Sequence, residues 1–259
     1  MSCKGTKFYV DKCQLTLKIN KKCVSLQQIM ANDYFQFRRF IVHQERCAMK
    51  VGTDGTLLGA WARGGKTVLD VGTGTGLVAL MMAQRFPASR VVGIEIEREA
   101  AGQAKETVAA SPFADRICIA EADVRTFEAE PFEAIVCNPP YFVDALECPN
   151  EQRTLARHAT TLTYSELMAA ARRLLTDGGE LSLVIPFDCK PRLEQEAALA
   201  GFFKVRECAV KTTPKKLPRR YLLAFHKHPC ALEQSEGVIE MQPGVRSPWY
   251  QELTKEFYL

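Results

Sequence analysis

Between residues 67 and 138, short apolar runs alternate with longer segments in which apolar residues recur every three to four positions. The runs are rich in Val and Ile and contain few polar residues, which is typical of strands buried on both faces of a parallel sheet. The longer segments have the period of a helix. We therefore predict strands 67–71, 90–95, 116–123 and 133–138, with helices 76–86 and 97–110 between them.

The same alternation resumes after residue 163. Its predicted elements are helix 164–176, strand 179–186, helix 188–200 and two closing strands, 202–211 and 220–227. Strands that alternate with helices form a mostly parallel sheet with helices on both faces. The predicted fold class is therefore α/β, a Rossmann-like doubly wound sheet.

The segment before these strands follows a different pattern. In "YFQFRRFIVHQERCAMKV" (34–51), apolar and polar residues alternate, which predicts two antiparallel strands that turn at about Gln44–Glu45. "GTDGTLLGAWA" then predicts a short helix capped by Thr53 or Asp54. We expect residues 30–65 to form a flap ahead of a main domain at 66–230, with 231–259 as a tail packed on that domain.

The composition is that of a globular protein with one core, since 47% of the 259 residues are hydrophobic and 25% are charged. No apolar run reaches the roughly 18 residues of a membrane span, and the first residues lack a signal-peptide pattern. We therefore expect a cytoplasmic protein. The ten cysteines include no C-x-x-C pair, so we interpret them as reduced and mostly buried, and we expect no metal.

The net charge of +4 originates in residues 1–29, which hold six lysines and a single acid. The remainder is close to neutral, so the total charge does not indicate a partner for the folded part. Residues 1–29 have weak periodicity and precede Met30. We expect them to be a disordered or upstream extension, with Met30 as the native start; a basic arm that binds nucleic acid is the alternative.

A glycine-rich turn follows the strand at 67–71. In "VLDVGTGTG", Gly72, Gly74 and Gly76 separate Asp70 from the next helix. Glycines permit a tight turn and a close approach of ligand, at the sheet edge where doubly wound folds bind cofactors. The spacing differs from the G-x-G-x-x-G of dinucleotide sites, and the acid disfavours phosphate and suits a cationic ligand. A turn without a ligand is the alternative.

Acids also stand where the next two strands end. Glu95 closes "VVGIE" and Asp123 closes "ICIAEAD". The first carboxylate can accept both hydroxyls of a ribose and the second can accept an adenine amino group. Each acid alone would be read as a solvated strand end, but together with the glycine turn they predict a nucleoside site.

The fourth strand ends in the rigid stretch "CNPPY" (137–141). The lone pair of a planar NH₂ group is delocalised, so attack on an electrophile requires acceptors that hold its protons. Asn138 offers a side-chain carbonyl and Pro139 a backbone carbonyl, and the pair with Pro140 fixes both. Tyr141 offers a face on which a flipped base can stack. A proline turn capped by asparagine is the alternative.

These motifs, in this order, resemble those of class I S-adenosylmethionine-dependent methyltransferases that act on planar amino or amide nitrogens. Four stretches are more closely similar to the bacterial tRNA1(Val) adenine-N6 methyltransferases: "CAMKVGTDGTLLGAW" (47–61), "NPPYF" (138–142), "ARHATTLTYSEL" (156–167) and "ELTKEFYL" (252–259). The resemblance covers 30–259. It implies seven strands with the last antiparallel, and N6-methylation of the adenosine immediately 3′ of the anticodon.

The resemblance also implies a role for each motif residue. The cofactor, S-adenosylmethionine, would lie against Asp70 and the three glycines with its methionine part, on Glu95 with its ribose and on Asp123 with its adenine. Asn138, Pro139, Pro140 and Tyr141 would hold the target amine and base, with Asn138 also beside the cofactor. The stretch 52–54 would lie near the cofactor.

Two segments carry candidate RNA contacts. "KTTPKKLPRR" (211–220) contains five cations and no acid, namely Lys211, Lys215, Lys216, Arg219 and Arg220. They are suited to phosphate contacts, although a solvated loop is the alternative. The long connector 141–163 carries Arg153, Arg157 and His158, and connectors of this length commonly bind a partner. We expect a monomer that binds the anticodon arm of a tRNA and no membrane.

Other functions fit the same motifs. Methylation of ribosomal RNA guanine at N2, of DNA adenine at N6 or of a protein glutamine at N5 would use the same Asn-Pro-Pro-Tyr chemistry. A nucleoside-binding or RNA-binding module without activity is the alternative outside the enzymes, but it predicts a damaged motif, and both motifs are intact.

Overall fold

The computed structural model describes residues 18–19, 22–23, 33–47, 50–139 and 162–259. The chain divides into two compact units, Met1–Asp33 and Tyr34–Leu259. In the first unit, strands β1 (Lys18–Ile19) and β2 (Lys22–Cys23) pair antiparallel. The rest of the extension expected at 1–29 lies outside the described residues.

One eight-stranded sheet forms the centre of the second unit. Its strands are β5 (Thr67–Val71), β6 (Arg90–Glu95), β7 (Ile117–Glu121), β8 (Phe132–Cys137), β9 (Leu175–Pro186), β10 (Phe203–Lys211), β11 (Pro218–His226) and β12 (Glu233–Val238). Their order in space is β12-β10-β11-β9-β8-β5-β6-β7. Only β11 runs antiparallel to its neighbours, because every other pair in this sheet is parallel.

This topology confirms the predicted fold class, including an antiparallel last strand among the seven that were expected. It also adds an eighth strand, because β12 comes from the segment that we had assigned to a tail. β12 pairs in parallel with β10 and covers the edge that β10 would otherwise expose. Past β12, the short strands β13 (Glu240–Gln242) and β14 (Val245–Arg246) form a separate antiparallel pair.

Helices cover both faces of the sheet. The described helices are α1 (Thr53–Trp61), α2 (Leu77–Arg85), α3 (Arg98–Ala109), α4 (Tyr164–Leu174), α5 (Lys190–Leu199) and α6 (Pro248–Thr254). Buried side chains of α1, α2, α3 and α6 form one apolar cluster with the sheet, and those of α4 and α5 form a second. None of these described helices is long and apolar enough to cross a membrane.

Local sequence explains how α4 begins, but it does not explain α1. Thr163 accepts a hydrogen bond from the backbone N–H of Glu166, whose carboxylate accepts from the N–H of Thr163, a reciprocal capping box. The cap predicted for α1 at Thr53 or Asp54 is wrong. Gly52 occupies that position and has no side chain with which to cap the helix. Asp54 lies in the first turn and pairs with a cation on β11.

The predicted N-terminal hairpin exists, but its turn lies earlier than expected. Strand β3 (Tyr34–Gln36) pairs with β4 (Ile41–His43). The turn therefore falls at 37–40 and not at Gln44–Glu45, and the N–H of Phe37 donates to the carbonyl of Phe40 at 2.9 Å. This tight turn keeps Phe37 and Phe40 on the buried side, with their rings stacked at 4.9 Å.

Residues near the end of the chain pack on this hairpin. The Tyr258 ring stacks on Phe37 at 5.8 Å between centroids and contacts Phe35 edge-on at 6.1 Å. The N–H of Arg38 donates to the carbonyl of Phe257 at 2.8 Å. The hairpin and residues 257–258 are therefore stabilised by each other, although they lie far apart in sequence.

A buried ion pair joins β9 and β10 away from the glycine turn. Arg206 donates to both carboxylate oxygens of Glu180, at 2.6 and 3.3 Å, and its guanidinium lies 3.9 Å from the centroid of the Trp61 ring. Both charged residues are buried. The bidentate geometry and the aromatic face compensate these charges for the water they lose.

The cysteine side chains that the structure describes are all free, and four of these six are buried: Cys47, Cys137, Cys189 and Cys208. Cys137, Cys189 and Cys208 belong to the two apolar clusters, whereas Cys47 lies in the wall of the cavity described below. Burial raises the pKa of Cys47 to about 11 and that of Cys137 well above its ordinary value, so both are neutral.

Candidate active site

The glycine turn lies at the carboxyl end of β5, between that strand and α2. Gly72, Gly74 and Gly76 all have positive φ, at 67°, 54° and 81°. L-residues with a side chain rarely adopt this conformation, so three glycines in alternation are what allow the chain to reverse here. Gly76 is also the N-cap residue of α2, and it has no side chain that could accept a hydrogen bond from the first N–H groups of the helix.

Asp70 supplies the cap that Gly76 lacks. Its Oδ2 accepts from the hydroxyl of Thr73 at 2.6 Å and from the N–H of Ala79, in the first turn of α2, at 3.0 Å. The side chain is buried, and burial raises its pKa to about 7. Asp70 lines the cavity described below, but both bonds of its Oδ2 brace the turn. The sequence pointed to this residue and did not reveal its bracing role.

Gly93 is a residue that we did not single out from the sequence. It lies on β6 directly opposite Asp70 of β5. A Cβ at this position would lie 2.7 Å from Cδ1 of Ile119 and 2.9 Å from the hydroxyl oxygen of Thr73. Only glycine leaves room for the Thr73 hydroxyl that binds Asp70. A glycine within a buried strand is the sequence signal that indicates such a close approach.

Glu95 ends β6 and connects the glycine turn to the start of α3. Its Oε2 accepts from the N–H of Gly74 at 2.9 Å, and its Oε1 accepts from Ile96 at 2.9 Å and Glu97 at 3.1 Å. A carboxylate can accept about four hydrogen bonds, so capacity for a ligand hydroxyl remains. The three backbone donors fix the orientation of this carboxylate before any ligand binds.

Asp123 follows β7 and is held by Arg125. The guanidinium and the backbone N–H of Arg125 donate to both oxygens of Asp123 at 2.6 to 3.0 Å. This cation holds the pKa of the Asp123 carboxyl below its ordinary value. Arg125 also pairs with Glu166 at 3.4 Å, which ties Asp123 to the first turn of α4. The spacing of two residues is a local signal that could have identified Arg125.

Asn138 stands directly after β8, at the same edge of the sheet as the two acids. Its side chain is half-buried, and Pro139 is buried. Cys137, the last residue of β8, is neutral, so no thiolate stands next to Asn138. Pro140 and Tyr141 lie outside the described residues, as do Arg153, Arg157 and His158.

A cavity of about 790 Å³ brings these residues together. Its size is in the range of sites that enclose a nucleoside-sized ligand. The sequence-predicted residues that line it are Asp70, Gly72, Gly74, Glu95, Asp123 and Asn138. The start of α1 forms another wall through residues 52–55, which agrees with the expected position of that stretch.

One cation that we had assigned to RNA binding lies in the wall of this cavity. Arg220 is at the start of β11 and pairs with Asp54 of α1 at 2.7 Å. Because β11 is antiparallel, its first residues reach the edge where the parallel strands end. From the sequence we grouped Arg220 with four other cations suited to phosphate contacts; in the structure its side chain pairs with Asp54 in the cavity wall. Lys211 is also engaged, since it pairs with Glu236 of β12 at 2.8 Å.

Three of the five cations are exposed, two in the turn between β10 and β11 and one at the start of β11. We call Lys215, Lys216 and Arg219 the hairpin cations. They lie at the same edge of the sheet as the cavity, because Arg220 follows Arg219 directly and lines that cavity. Leu217, between them, is 80% exposed. The hairpin thus presents positive charge and apolar surface together.

The fold and the cavity together define a class I methyltransferase. The features that define this class are the inserted antiparallel β11, the glycine turn after β5, the acids after β6 and β7 and the Asn-Pro pair after β8. The methyltransferase small domain family matches residues 56–215 of the chain.

The curated relatives narrow this class to one family. A tRNA1(Val) (adenine(37)-N6)-methyltransferase from Bacteroides thetaiotaomicron is 46% identical over 234 residues, 89% of this chain and 99% of the relative. A protein of the same name from Tolumonas auensis is 40% identical over 233 residues, with 89% and 98% covered. The chain belongs to the tRNA1(Val) (adenine(37)-N6)-methyltransferase family.

Solved structures agree on the fold. A protein described as a predicted O-methyltransferase from Agrobacterium tumefaciens superposes with a TM-score of 0.63 at 20% identity, covering 79% of this chain and 96% of that one. The glycopeptide N-methyltransferase MtfA, solved with S-adenosyl-L-methionine, gives 0.51 at 14% identity, with 70% and 90% covered. At these identities the likeness shows the shared fold alone.

The cavity fits S-adenosylmethionine, the cofactor of this class. A Cβ at Gly72 would meet no atom within 4 Å, so open space lies beside the turn. The Glu95 carboxylate is fixed at one end of this space and the Asp123 carboxylate lines it as well. These two acceptors and the open turn match the hydroxyls, the amino group and the methionine part of the cofactor.

Proposed function

We propose that this protein transfers a methyl group from S-adenosylmethionine to N6 of the adenosine immediately 3′ of the anticodon, position 37, in tRNA1(Val). The observation that carries the proposal is Asn138, which lines one cavity with Glu95 and Asp123 and has the buried Pro139 next to it. Relatives at 40–46% identity carry the corresponding name.

The geometry around the glycine turn supports the proposed cofactor-binding residues. Gly72, Gly74 and Gly76 shape the space for the methionine part, and Asp70 keeps that shape by bracing the turn. Glu95 accepts from the ribose hydroxyls. Asp123 accepts from the adenine amino group, and Arg125 fixes the orientation of its carboxylate. When bound, the cofactor supplies an electrophilic methyl group on a sulfonium.

Asn138 and Pro139 act on the target amine. The adenine N6 lone pair is delocalised into the ring, so the amine becomes nucleophilic only as it turns tetrahedral. The Asn138 side-chain carbonyl and the Pro139 backbone carbonyl accept hydrogen bonds from the two N–H groups of the amine. They thereby stabilise the positive charge that develops on its nitrogen. A nitrogen–carbon bond forms as the sulfur–carbon bond breaks, and one amine proton then leaves to water. This step needs no covalent bond to the protein.

The tRNA would reach the cavity across the hairpin cations, which are exposed at the same edge of the sheet. Phosphate contacts release counterions, so affinity that depends on them falls with salt. Replacing all three hairpin cations with alanine should lower the slope of log affinity against log salt by about two units, at about 0.7 per contact. An unchanged slope would remove these cations from the RNA-binding surface.

Some parts of the proposal depend on residues outside the described structure. Tyr141 is proposed to stack the flipped base, and Arg157 and His158 to contact RNA. We also propose that the protein acts as a monomer in the cytoplasm, where tRNA is modified. Crosslinking of the full chain to tRNA1(Val), followed by peptide mapping, would test the three contacts together.

The primary experiment measures methyl transfer from labelled cofactor to a tRNA1(Val) transcript and to the same transcript with guanosine at position 37. Label in the first alone, recovered as N6-methyladenosine, is the expected result. Ribosomal RNA, DNA and release factors serve as competing substrates. Label that prefers any of these over tRNA1(Val) would overturn the substrate and leave the cavity chemistry in place.

The Asn138→Ala variant tests the mechanism. The loss of one preorganised acceptor should lower kcat about 100-fold or more. Cofactor affinity, measured by calorimetry on the same variant, should remain close to that of the wild type, because Glu95, Asp123 and the glycine turn are unchanged. Turnover at the wild-type rate would contradict the role given to Asn138.

A further inference from the structure

An exposed aromatic side chain lies at the catalytic edge of the sheet and takes no part in the proposed chemistry. Phe187 follows the last residue of β9 and is 46% exposed. β8 and β9 are parallel, with Cys137 opposite Leu183, so both strands end at the same edge. Phe187 lies no more than about 13 Å beyond Leu183 along the strand direction, since strands rise about 3.3 Å per residue.

Phe187 is part of an aromatic pair. Its ring centroid is 6.0 Å from that of Tyr221, and the ring planes differ by 31°. Lys190 places its Nζ 4.2 Å from the centroid of the Tyr221 ring and is itself fixed by an ion pair with Glu207 at 2.7 Å. A cation, a half-buried ring and an exposed ring therefore lie side by side. We call Phe187 and Tyr221 the aromatic platform.

The aromatic platform and the cofactor cavity lie on opposite faces of β11. Successive side chains of a strand point to opposite faces, so Arg220 and Tyr221 diverge. Arg220 lines the cavity, whereas Tyr221 packs with the cluster that contains α4 and α5. β8, which is followed by Asn138, is the neighbour of β9 in the sheet. Because β8 and β9 are neighbours that end at one edge, a polynucleotide whose target base reaches Asn138 passes near Phe187, which follows β9.

We propose that the aromatic platform stacks an unpaired base of the RNA substrate that neighbours the methylated nucleotide. This inference rests on the proposed function, because it takes RNA as the substrate. Every base has a π-face, so stacking of this kind needs no particular base. Arg219 is exposed two residues before Tyr221 on the same strand, so it shares the face of that ring, and its positive charge suits a phosphodiester chain.

The test compares Phe187→Leu with a matched control, Phe203→Leu. Phe203 is 44% exposed, close to the exposure of Phe187, and begins β10 at the opposite edge of the sheet. Phe203→Leu therefore makes the same change in a similarly exposed side chain, away from the catalytic edge. The probe is the anticodon stem-loop of tRNA1(Val) with 2-aminopurine in place of each loop base next to the target. Stacking on an aromatic ring changes the fluorescence of this analogue.

Phe187→Leu should weaken stem-loop binding about tenfold, because stacking on an aromatic side chain is strong enough to shift affinity by that factor. It should also abolish the fluorescence change of one analogue position and leave cofactor affinity unchanged. Phe187→Trp should restore binding. Phe203→Leu should behave as wild type in each assay.

Two failures are distinguishable. If wild-type protein does not methylate tRNA1(Val), the proposed function fails and the platform fails with it. If wild-type protein methylates tRNA1(Val) but Phe187→Leu binds the stem-loop as tightly as Phe203→Leu, or keeps the fluorescence change at every position, the function stands and the platform is overturned.

Discussion

Replacing Asp70 with asparagine tests how the glycine turn is held. The asparagine side-chain oxygen can accept the same two bonds, from the hydroxyl of Thr73 and the N–H of Ala79. The substitution changes little in shape, but it removes a group that titrates. The two proteins should therefore differ mainly in how their stability depends on pH.

The sign follows from the direction of the pKa shift. Burial raises the pKa of the Asp70 carboxyl from 3.8 to about 7, although the bonds from Thr73 and Ala79 oppose the change. Between these values the folded protein binds more protons at this site than the unfolded chain, so wild-type stability falls as pH rises. The part of the unfolding free energy that comes from this pKa shift is fully present below pH 3.8 and is lost by about pH 7. From pH 4.5 to 7.5 the loss is about 3 kcal/mol, at 1.36 kcal/mol per pH unit.

The assay is urea unfolding, followed by circular dichroism, of wild type and Asp70→Asn at pH 4.5, 6.0 and 7.5. Other groups titrate equally in both proteins, so the difference in unfolding free energy isolates Asp70. That difference should move by about 3 kcal/mol in favour of the variant across this range. As a control, Thr73→Val keeps the carboxyl and removes a hydrogen bond that lowers its pKa, so the loss of stability with rising pH should be at least as large as in the wild type. Parallel curves for wild type and Asp70→Asn would refute the argument, since they would mean an ordinary pKa for Asp70.

Three further predictions concern the scaffold and the substrate surface. Gly93→Ala should cost about 1–3 kcal/mol of unfolding free energy by crowding Ile119 and Thr73, whereas Gly178→Ala, where a Cβ meets no atom within 4 Å, should cost nothing. Glu180→Gln should cost about 3 kcal/mol or more, because it leaves the Arg206 charge buried without a counter-charge. Urea unfolding measures these changes. Equal stability of Gly93→Ala and Gly178→Ala, or of Glu180→Gln and wild type, would contradict the packing described. The alanine variant of the hairpin cations should show a salt slope in RNA binding that is lower by about two units, with unchanged cofactor affinity.

The parts of the fold that the sequence predicted are those with a strong local pattern. Buried strands leave continuous apolar runs, and parallel strands end at one edge, so Glu95, Asp123 and Asn138 could be placed together before their geometry was known. The hairpin turn was misplaced because alternation was followed across it. The pattern changes phase between Phe37 and Phe40, and that change marks the turn.

The contacts that were missed join residues far apart in sequence. Asp54 has the chemistry of a helix cap and lies in the first turn of α1, but its partner is Arg220 on β11, and nothing near Asp54 in the sequence indicates this. β12 was missed for a related reason. Its sequence, EQSEGV, is polar because an edge strand is exposed, so it lacks the apolar run by which the other strands were recognised.

The packing of Tyr258 on Phe35 and Phe37 has a consequence for the order in which the protein matures. Ribosomes make the hairpin β3–β4 early and residues 257–258 late, and domains fold as their parts emerge. The surfaces of Phe35 and Phe37 that Tyr258 covers therefore stay exposed until residue 258 has been made. Contacts between such distant residues also slow folding. A chain that ends before residue 258 would leave these two rings without that cover.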